Sequence, residues 1–484
     1  MKIFFYHPSA HSDGFPEPPL GLGYLMGVAK KLGCEYKIYD QDHHSKFLSL
    51  EKMLQRWEAD LIAVTFMTPQ YYEAKRSLEL LRKKFPRAKV IIGGPHATAL
   101  PEDTLKEMPE VDALGKGEGE KTFAEYIQYL KGEGQIEDID GLYYRKDGKV
   151  LHNQPRELMS SGELNEYGID WDKLMEYGPY GQKLAWRNEI VSVYPIITAR
   201  GCPHQCTFCD EGNIWQRKVR MRTVENVIEE VNYLYNKYGA GYLNILDDTF
   251  TLQKGRVKEF CEKIKGKDIK FRITATIRSA EEEMLNTLAG AGCELIAYGV
   301  ESGDDEVLRK MKKRQTVEDI KRAFELTRRA GIKGLALCMV GNIGEDSKAV
   351  EKTARLIKEI RADLASCTIM QPYPGSENYT VCKENGWILH NDWRSWVPSV
   401  LKTQRFRVVA RTDMMSEKEI LRAYYYMNRV VVMNRFRLKY GRHFLVRGQF
   451  YVNEIIPRLK TIGLAAFVGH VRRLFMGRSS LARN

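Results

Sequence analysis

The chain has 484 residues, 43% of them hydrophobic, and a formal net charge of +12. That length supports a large core split into two or three domains, and it excludes a small scaffold held by disulfides. Nine cysteines, six of them single within apolar stretches (Cys34, Cys261, Cys293, Cys338, Cys367, Cys382), and no secretory leader before "MKIFFYHP" point to a reducing, cytoplasmic setting. No run of 18 or more apolar residues occurs, so no transmembrane helix is expected. The positive charge sits at one end: Leu401–Asn484 holds 18 Lys and Arg against 4 Asp and Glu, leaving residues 1–400 at −2.

Residues 1–135 alternate short β-type runs with helical segments. "KIFFYHP", "YKIYDQD", "LIAVTFMT", "KVIIGGPH" and "DALGKGEGE" read as strands; "LGYLMGVAKKLG", "TPQYYEAKRSLELLRKKF" and "GEKTFAEYIQYLKG" read as the helices between them. Such alternation predicts a parallel, doubly wound α/β sheet. Residues 136–189 break the alternation, and "GLYYRKDGKVLHN" predicts a hairpin turned at Asp147-Gly148 that opens a linker.

Across 190–385 the alternation returns on a longer beat. "YPIITARG", "YLNILDD", "FRITATIR", "LIAYGVES", "GLALCMVG" and "ASCTIMQPYPG" are six strand candidates. Stretches such as "TVENVIEEVNYLYNKYG" and "TVEDIKRAFELTRRAG" lie between them, each with a Thr to cap its start and a Gly to end it. Six βα units predict a partial barrel with its chemistry on loops at the C-terminal strand ends.

The loop after the first of these strands, "RGCPHQCTFCDEG", spaces Cys202, Cys206 and Cys209 as C-x3-C-x2-C. Thiolates select zinc, copper or iron–sulfur clusters, and a structural zinc would want a fourth ligand at a recognisable distance, which does not follow. Three ligands point instead to a [4Fe–4S] cluster with one open iron, against the alternative of buried or zinc-binding cysteines.

With Phe208 just before the last cysteine, this motif on a (βα)6 pattern resembles the radical S-adenosylmethionine (SAM) superfamily. The resemblance implies that the open iron binds the amino and carboxylate groups of SAM and that an electron from the cluster cleaves SAM to a 5′-deoxyadenosyl radical. It further implies SAM contacts for Asp247 and Asp248 at the end of strand two, Arg278 at the end of strand three, and Glu301 and Ser302 in "YGVESGDDEVLRKMKKRQT". "VGNIGED" takes the place of a Gly-rich turn near the adenine, with Asn342-Ile343 where a Pro is usual. The residues alone leave other roles open: the Asp pair could cap the next helix, and Glu301 could pair with a Lys.

The N-terminal loops "PEPPLGLGYLMGVAKKLG", "GGPHATALPE" and "GKGEGEKTF" resemble those of cobalamin (B12)-binding domains that precede such barrels. The resemblance implies corrin contacts for Leu20, Gly21, Thr65, Gly93, Gly94, His96, Gly117 and Glu118, with His96 touching corrin side chains and not ligating cobalt. The D-x-H-x-x-G segment that supplies a cobalt histidine elsewhere is absent. Together these imply a cobalamin-dependent methyltransferase that uses methylcobalamin and the adenosyl radical on an unactivated carbon or phosphorus of a small-molecule or lipid-like substrate. The alternative is an oxidative cyclase of the anaerobic magnesium-protoporphyrin type. Nucleic-acid methylthiolation fits poorly, because its second three-cysteine cluster is missing. A flavodoxin- or ferredoxin-like reductant is the expected partner. Residues 386–484 form a basic, helical C-terminal region whose end, "IIPRLKTIGLAAFVGHVRRLFMGRSS", could lie on an anionic membrane.

Overall fold

The structure is a computed structural model that describes residues 1–9, 17–45, 48–55, 57–176, 180–184, 189–396, 407–441, 443–446, 449, 451 and 455. The final apolar and basic stretch, on which a membrane contact is expected, lies outside the described residues.

The first sheet is built on five parallel strands: β1 (Lys2–His7), β2 (Glu35–Asp40), β3 (Leu61–Thr65), β4 (Lys89–Gly93) and β5 (Ala113–Gly115), in the order β2-β1-β3-β4-β5. That order reverses between β1 and β3, the switch point outside which doubly wound sheets bind ligands at their C-terminal strand ends. Phe4, Ile62, Val64, Val90 and Ile92 pack one face against the helix Tyr71–Lys84, while Ile3, Phe5 and Ala63 pack the other against the helix Leu20–Lys31. The expected hairpin forms as β6 (Leu142–Lys146) and β7 (Lys149–His152), with Asp147 and Gly148 both at positive φ. It is no free linker: β6 pairs antiparallel with β5 and extends the sheet to seven strands.

The segment that follows is also packed. Gly27 touches it so closely that an added Cβ would lie 2.0 Å from the Gly168 carbonyl oxygen. Trp171 and Leu174 are buried in one core that runs from the first sheet into the barrel, and the Trp171 indole donates to Glu230 at 2.7 Å.

The second sheet carries six parallel strands: β9 (Glu189–Ile196), β12 (Tyr242–Ile245), β13 (Lys270–Ala275), β14 (Cys293–Glu301), β15 (Lys333–Val340) and β16 (Leu364–Ile369), with β8 (Gly181–Leu184) antiparallel at the β9 edge. Between β9 and β12 the short β10 (Ala199–Arg200) and β11 (Arg220–Met221) pair antiparallel and bracket the cysteine loop. The helices end as their sequences dictate: the Thr223 and Thr316 hydroxyls accept from the Asn226 and Asp319 amides, and Gly239 closes the first in the left-handed conformation. The long helix Glu417–Tyr440 packs on β16 and on the helix Ser347–Glu359, with Ile420, Ala423 and Met427 buried. Among the described residues no helix is long and apolar enough to cross a membrane.

Candidate active site

The cysteine loop leaves β10 through Gly201, whose φ of +91° and tight fit exclude a side chain, since a Cβ would sit 2.2 Å from the Lys218 carbonyl oxygen. It is tied down at both ends of the barrel mouth. The Thr207 amide donates to the Met311 carbonyl at 3.2 Å, and the Asn378 amide donates to the Thr207 carbonyl at 2.9 Å. Cys202, Cys206 and Cys209 are free thiols of intermediate exposure, and burial pushes the Cys209 thiol up to about 12. Iron would therefore have to displace protons here, as it does at any thiol site. Among the described residues no three His, Cys, Asp or Glu side chains gather as a single-ion site. A cubane asks for a different donor set, one thiolate for each of three irons, and three free thiols on one anchored loop supply it.

Around the thiols stand several of the predicted residues. Phe208 packs against the buried cluster of Val307, Met311 and Ala349. Glu301 ends β14 with φ +62°, a strained conformation for a non-glycine, and its carboxylate accepts from the Lys313 ammonium at 2.9 Å. Burial would lower the Lys313 pKa, but Glu301 and the cysteine side of the site hold it above its ordinary value. The same ammonium lies 5.6 Å from the Phe208 ring centre. Asp248 approaches Gly201 and Glu211, and burial beside Asp247 raises its carboxyl to about 6. Arg278 is exposed beyond β13, close enough for its charge to act on His204 within the loop.

Two predicted SAM residues face elsewhere. Asp247 is held by Thr198 and Ala199, accepting from their amides at 2.7 and 3.0 Å and from the Thr198 hydroxyl at 2.5 Å. It shapes the turn into the cysteine loop. Ser302 is wholly buried, accepts from the Asp304 amide at 3.2 Å and meets the Thr353 hydroxyl at 3.4 Å, so it fixes the start of the next helix.

The expected corrin face divides in the same way. Gly21 and Gly117 border open space, with nothing within 4 Å of an added Cβ, and Gly93 would meet only the Gly115 carbonyl oxygen at 3.5 Å. These backbone surfaces at the C-terminal strand ends leave room for a flat ring, and exposed Met67 stands beside Thr65. Leu20 is buried in the core. Gly94 is required by the fold itself: at φ +98° its Cβ would lie 2.6 Å from the Phe66 carbonyl oxygen and 2.7 Å from the Thr65 hydroxyl. His96 is 2% exposed, bonded to Thr68 at 3.0 Å and packed on Tyr71 and Trp393, so its ring is turned into the protein. It cannot reach a corrin side chain without rearrangement.

Glu118 is also reassigned. One carboxylate oxygen accepts from Arg200 at 2.9 Å; the other accepts from Arg220 at 2.5 Å and from the Met159 amide at 2.9 Å. Glu120 takes the second Arg200 nitrogen at 2.5 Å, and the Arg200 guanidinium lies 4.8 Å from the Tyr24 ring centre. All four charged groups are buried. This cluster binds the loop after β5 to the two strands that bracket the cysteines. Sequence reasoning had no signal for it, because Arg200 and Arg220 carry no mark of a partner so far back along the chain.

A doubly wound domain with an open glycine face, clamped to a six-stranded barrel that presents three thiols, defines a cobalamin-type radical SAM enzyme. Residues 196–357 match the radical SAM superfamily model and residues 7–127 match the B12 binding domain. The chain is 30% identical over 416 residues to the uncharacterized methyltransferase PH0819 of Pyrococcus horikoshii, covering 84% of this chain and 89% of that one. It is 28% identical to the anaerobic magnesium-protoporphyrin IX monomethyl ester cyclase of Cereibacter sphaeroides, covering 77% of this chain and 62% of that one. The fold is similar to that of the radical SAM methyltransferase TsrM of Kitasatospora setae, with a TM-score of 0.66 at 18% identity, over 79% of this chain and 75% of that one. The chain belongs to the radical SAM superfamily, in the group that carries a B12-binding domain, and it is an enzyme. Its cofactors are a [4Fe–4S] cluster, SAM and cobalamin.

Proposed function

We propose that this enzyme transfers a methyl group to an unactivated carbon or phosphorus of a small-molecule or lipid-like substrate. The observation that supports the reading is the buried Glu118–Arg200–Arg220 cluster, which ties the loop after β5 to the two strands that bracket the cysteine loop. Bringing two reactive groups to a fixed distance is what a two-cofactor transfer needs, since orientation alone can supply several kcal/mol of a barrier. When bound, the cluster supplies an electron to SAM and the corrin carries the methyl group.

In this proposal Cys202, Cys206 and Cys209 hold the cluster, while Gly201 and Asp247 set the loop's path. Glu301 and Asp248 face SAM; the ion pair with Lys313 holds the Glu301 carboxylate in place, and Arg278 offers a cation to the SAM carboxylate. Phe208 closes the cluster's apolar side and limits water. Gly21, Gly93 and Gly117 give the ring its bed, with Thr65 at its edge. An external reductant protein supplies the electron.

The test is anaerobic reconstitution followed by reduction in the presence of SAM and cobalamin. Formation of both 5′-deoxyadenosine and S-adenosylhomocysteine supports methyl transfer. The cyclase relative gives a second reading, an oxidation without methyl transfer, and 5′-deoxyadenosine without S-adenosylhomocysteine would favour it.

A further inference from the structure

The barrel sheet has two faces. Ile273, Ile296, Tyr298, Ala336 and Cys338 are buried against the helices, and the alternate positions line the concave side with partial exposure. Register sets these in rows: Arg272 beside the buried Asn244, Thr274 beside Ala297 and Leu335, Leu337 beside Ser366. The β15 side of the concave face is thus apolar, and the β12–β13 side carries a guanidinium at mid-height.

That guanidinium already holds a carboxylate. Arg272 donates from Nε to Asn244 at 2.6 Å and from Nη2 to Glu17 at 3.2 Å, and the Asn244 amide donates to the same Glu17 oxygen at 3.0 Å. Glu17 arrives from the other domain, 255 residues away, just before the helix Leu20–Lys31. Both partners keep solvent access, with side chains 28% and 37% exposed, and an ion pair so placed is weak and exchangeable. Two donors converging on one carboxylate oxygen, one of them from a fixed guanidinium fork, are the geometry that reads oxyanions.

We propose that Arg272 and Asn244 form the recognition site for the anionic group of an amphipathic substrate, a carboxylate or phosphate that takes the place of Glu17. The hydrocarbon part lies along Leu335 and Leu337, which directs the reacting carbon toward the cysteine loop at the C-terminal strand ends. The inference rests on the function proposed above and adds the substrate's chemical class.

Its test is a binding measurement that needs no turnover. Reconstituted protein is titrated calorimetrically with octanoate and with octyl phosphate, against octanol as the uncharged probe. At least one anion should bind roughly tenfold more tightly than octanol, and the tighter of the two identifies the group. Arg272→Met should abolish that preference. Glu17→Gln, which keeps the hydrogen bonds and removes the competing charge, should strengthen anion binding by roughly threefold. Equal binding of anions and octanol, an anion preference that survives Arg272→Met, or no gain in Glu17→Gln overturns the proposal. Reductive SAM cleavage by the unsubstituted protein, measured in parallel, reports separately on the radical chemistry.

Discussion

Three side chains show how far local chemistry reaches. Replacing Cys202, Cys206 and Cys209 together by Ala should take iron after reconstitution from about four per chain to background, since no other thiol shares the loop. Glu301→Gln should lower SAM affinity while iron content is retained. Glu301→Ala should also cost stability on the order of 2 kcal/mol, because it leaves the half-buried Lys313 ammonium without its carboxylate. Gly21 separates binding from folding: it lies in the first turn of a helix with open space beyond it. Gly21→Ala should leave thermal stability unchanged or raise it by about 0.5 kcal/mol while weakening cobalamin retention on gel filtration. Gly94→Ala should unfold the local strand end instead, so loss of cobalamin there would say nothing about the ring.

At the level of elements, the helix Pro95–Ala99 carries a histidine whose burial lowers its pKa to about 4. The unfolded chain would protonate it near pH 6.5, so the unfolded state binds the extra proton between those values. Stability is then complete above about pH 6.5 and falls as the pH drops toward 4. His96→Gln should remove on the order of 3 kcal/mol of the stability change seen in urea melts across that window. An unchanged slope would place the titration elsewhere, with His44, similarly lowered, next in line. The elements themselves were legible in the sequence because each strand is a short apolar run bounded by turn residues and each helix has its cap. What the sequence did not reveal was which strand end faces which. Asp247 and Ser302 look like site residues by position, yet backbone amides claim them, from Thr198 on the neighbouring strand end and from Asp304 two residues on. Glu118 and Glu120 look like loop residues, and only the tertiary fold sets them against Arg200 and Arg220. Lys313 lies inside the strand-four motif with no mark of its role, since an ion pair 12 residues apart has no periodic signature.

For the whole molecule, the decisive feature is the join between the domains. Removing one member of the buried cluster, as in Arg200→Met, should cost roughly 3–5 kcal/mol by leaving Glu118 and Glu120 short of a partner. The double variant Arg200→Met/Glu118→Gln should lose less than the two single losses added, by about 1–3 kcal/mol, and strict additivity in denaturant melts would show the cluster is not coupled. The hairpin and the residues up to 176 belong to the same join. A fragment beginning at residue 189 would carry two buried arginines with no acids to meet them, and should be recovered unfolded or aggregated.

The clamp also has a consequence for synthesis. Glu118 is made 82 residues before Arg200, so at ordinary elongation rates it waits on the order of 4–16 seconds for its counter-charge. During that interval two carboxylates destined for burial hold water and keep the domain's future contact face hydrated.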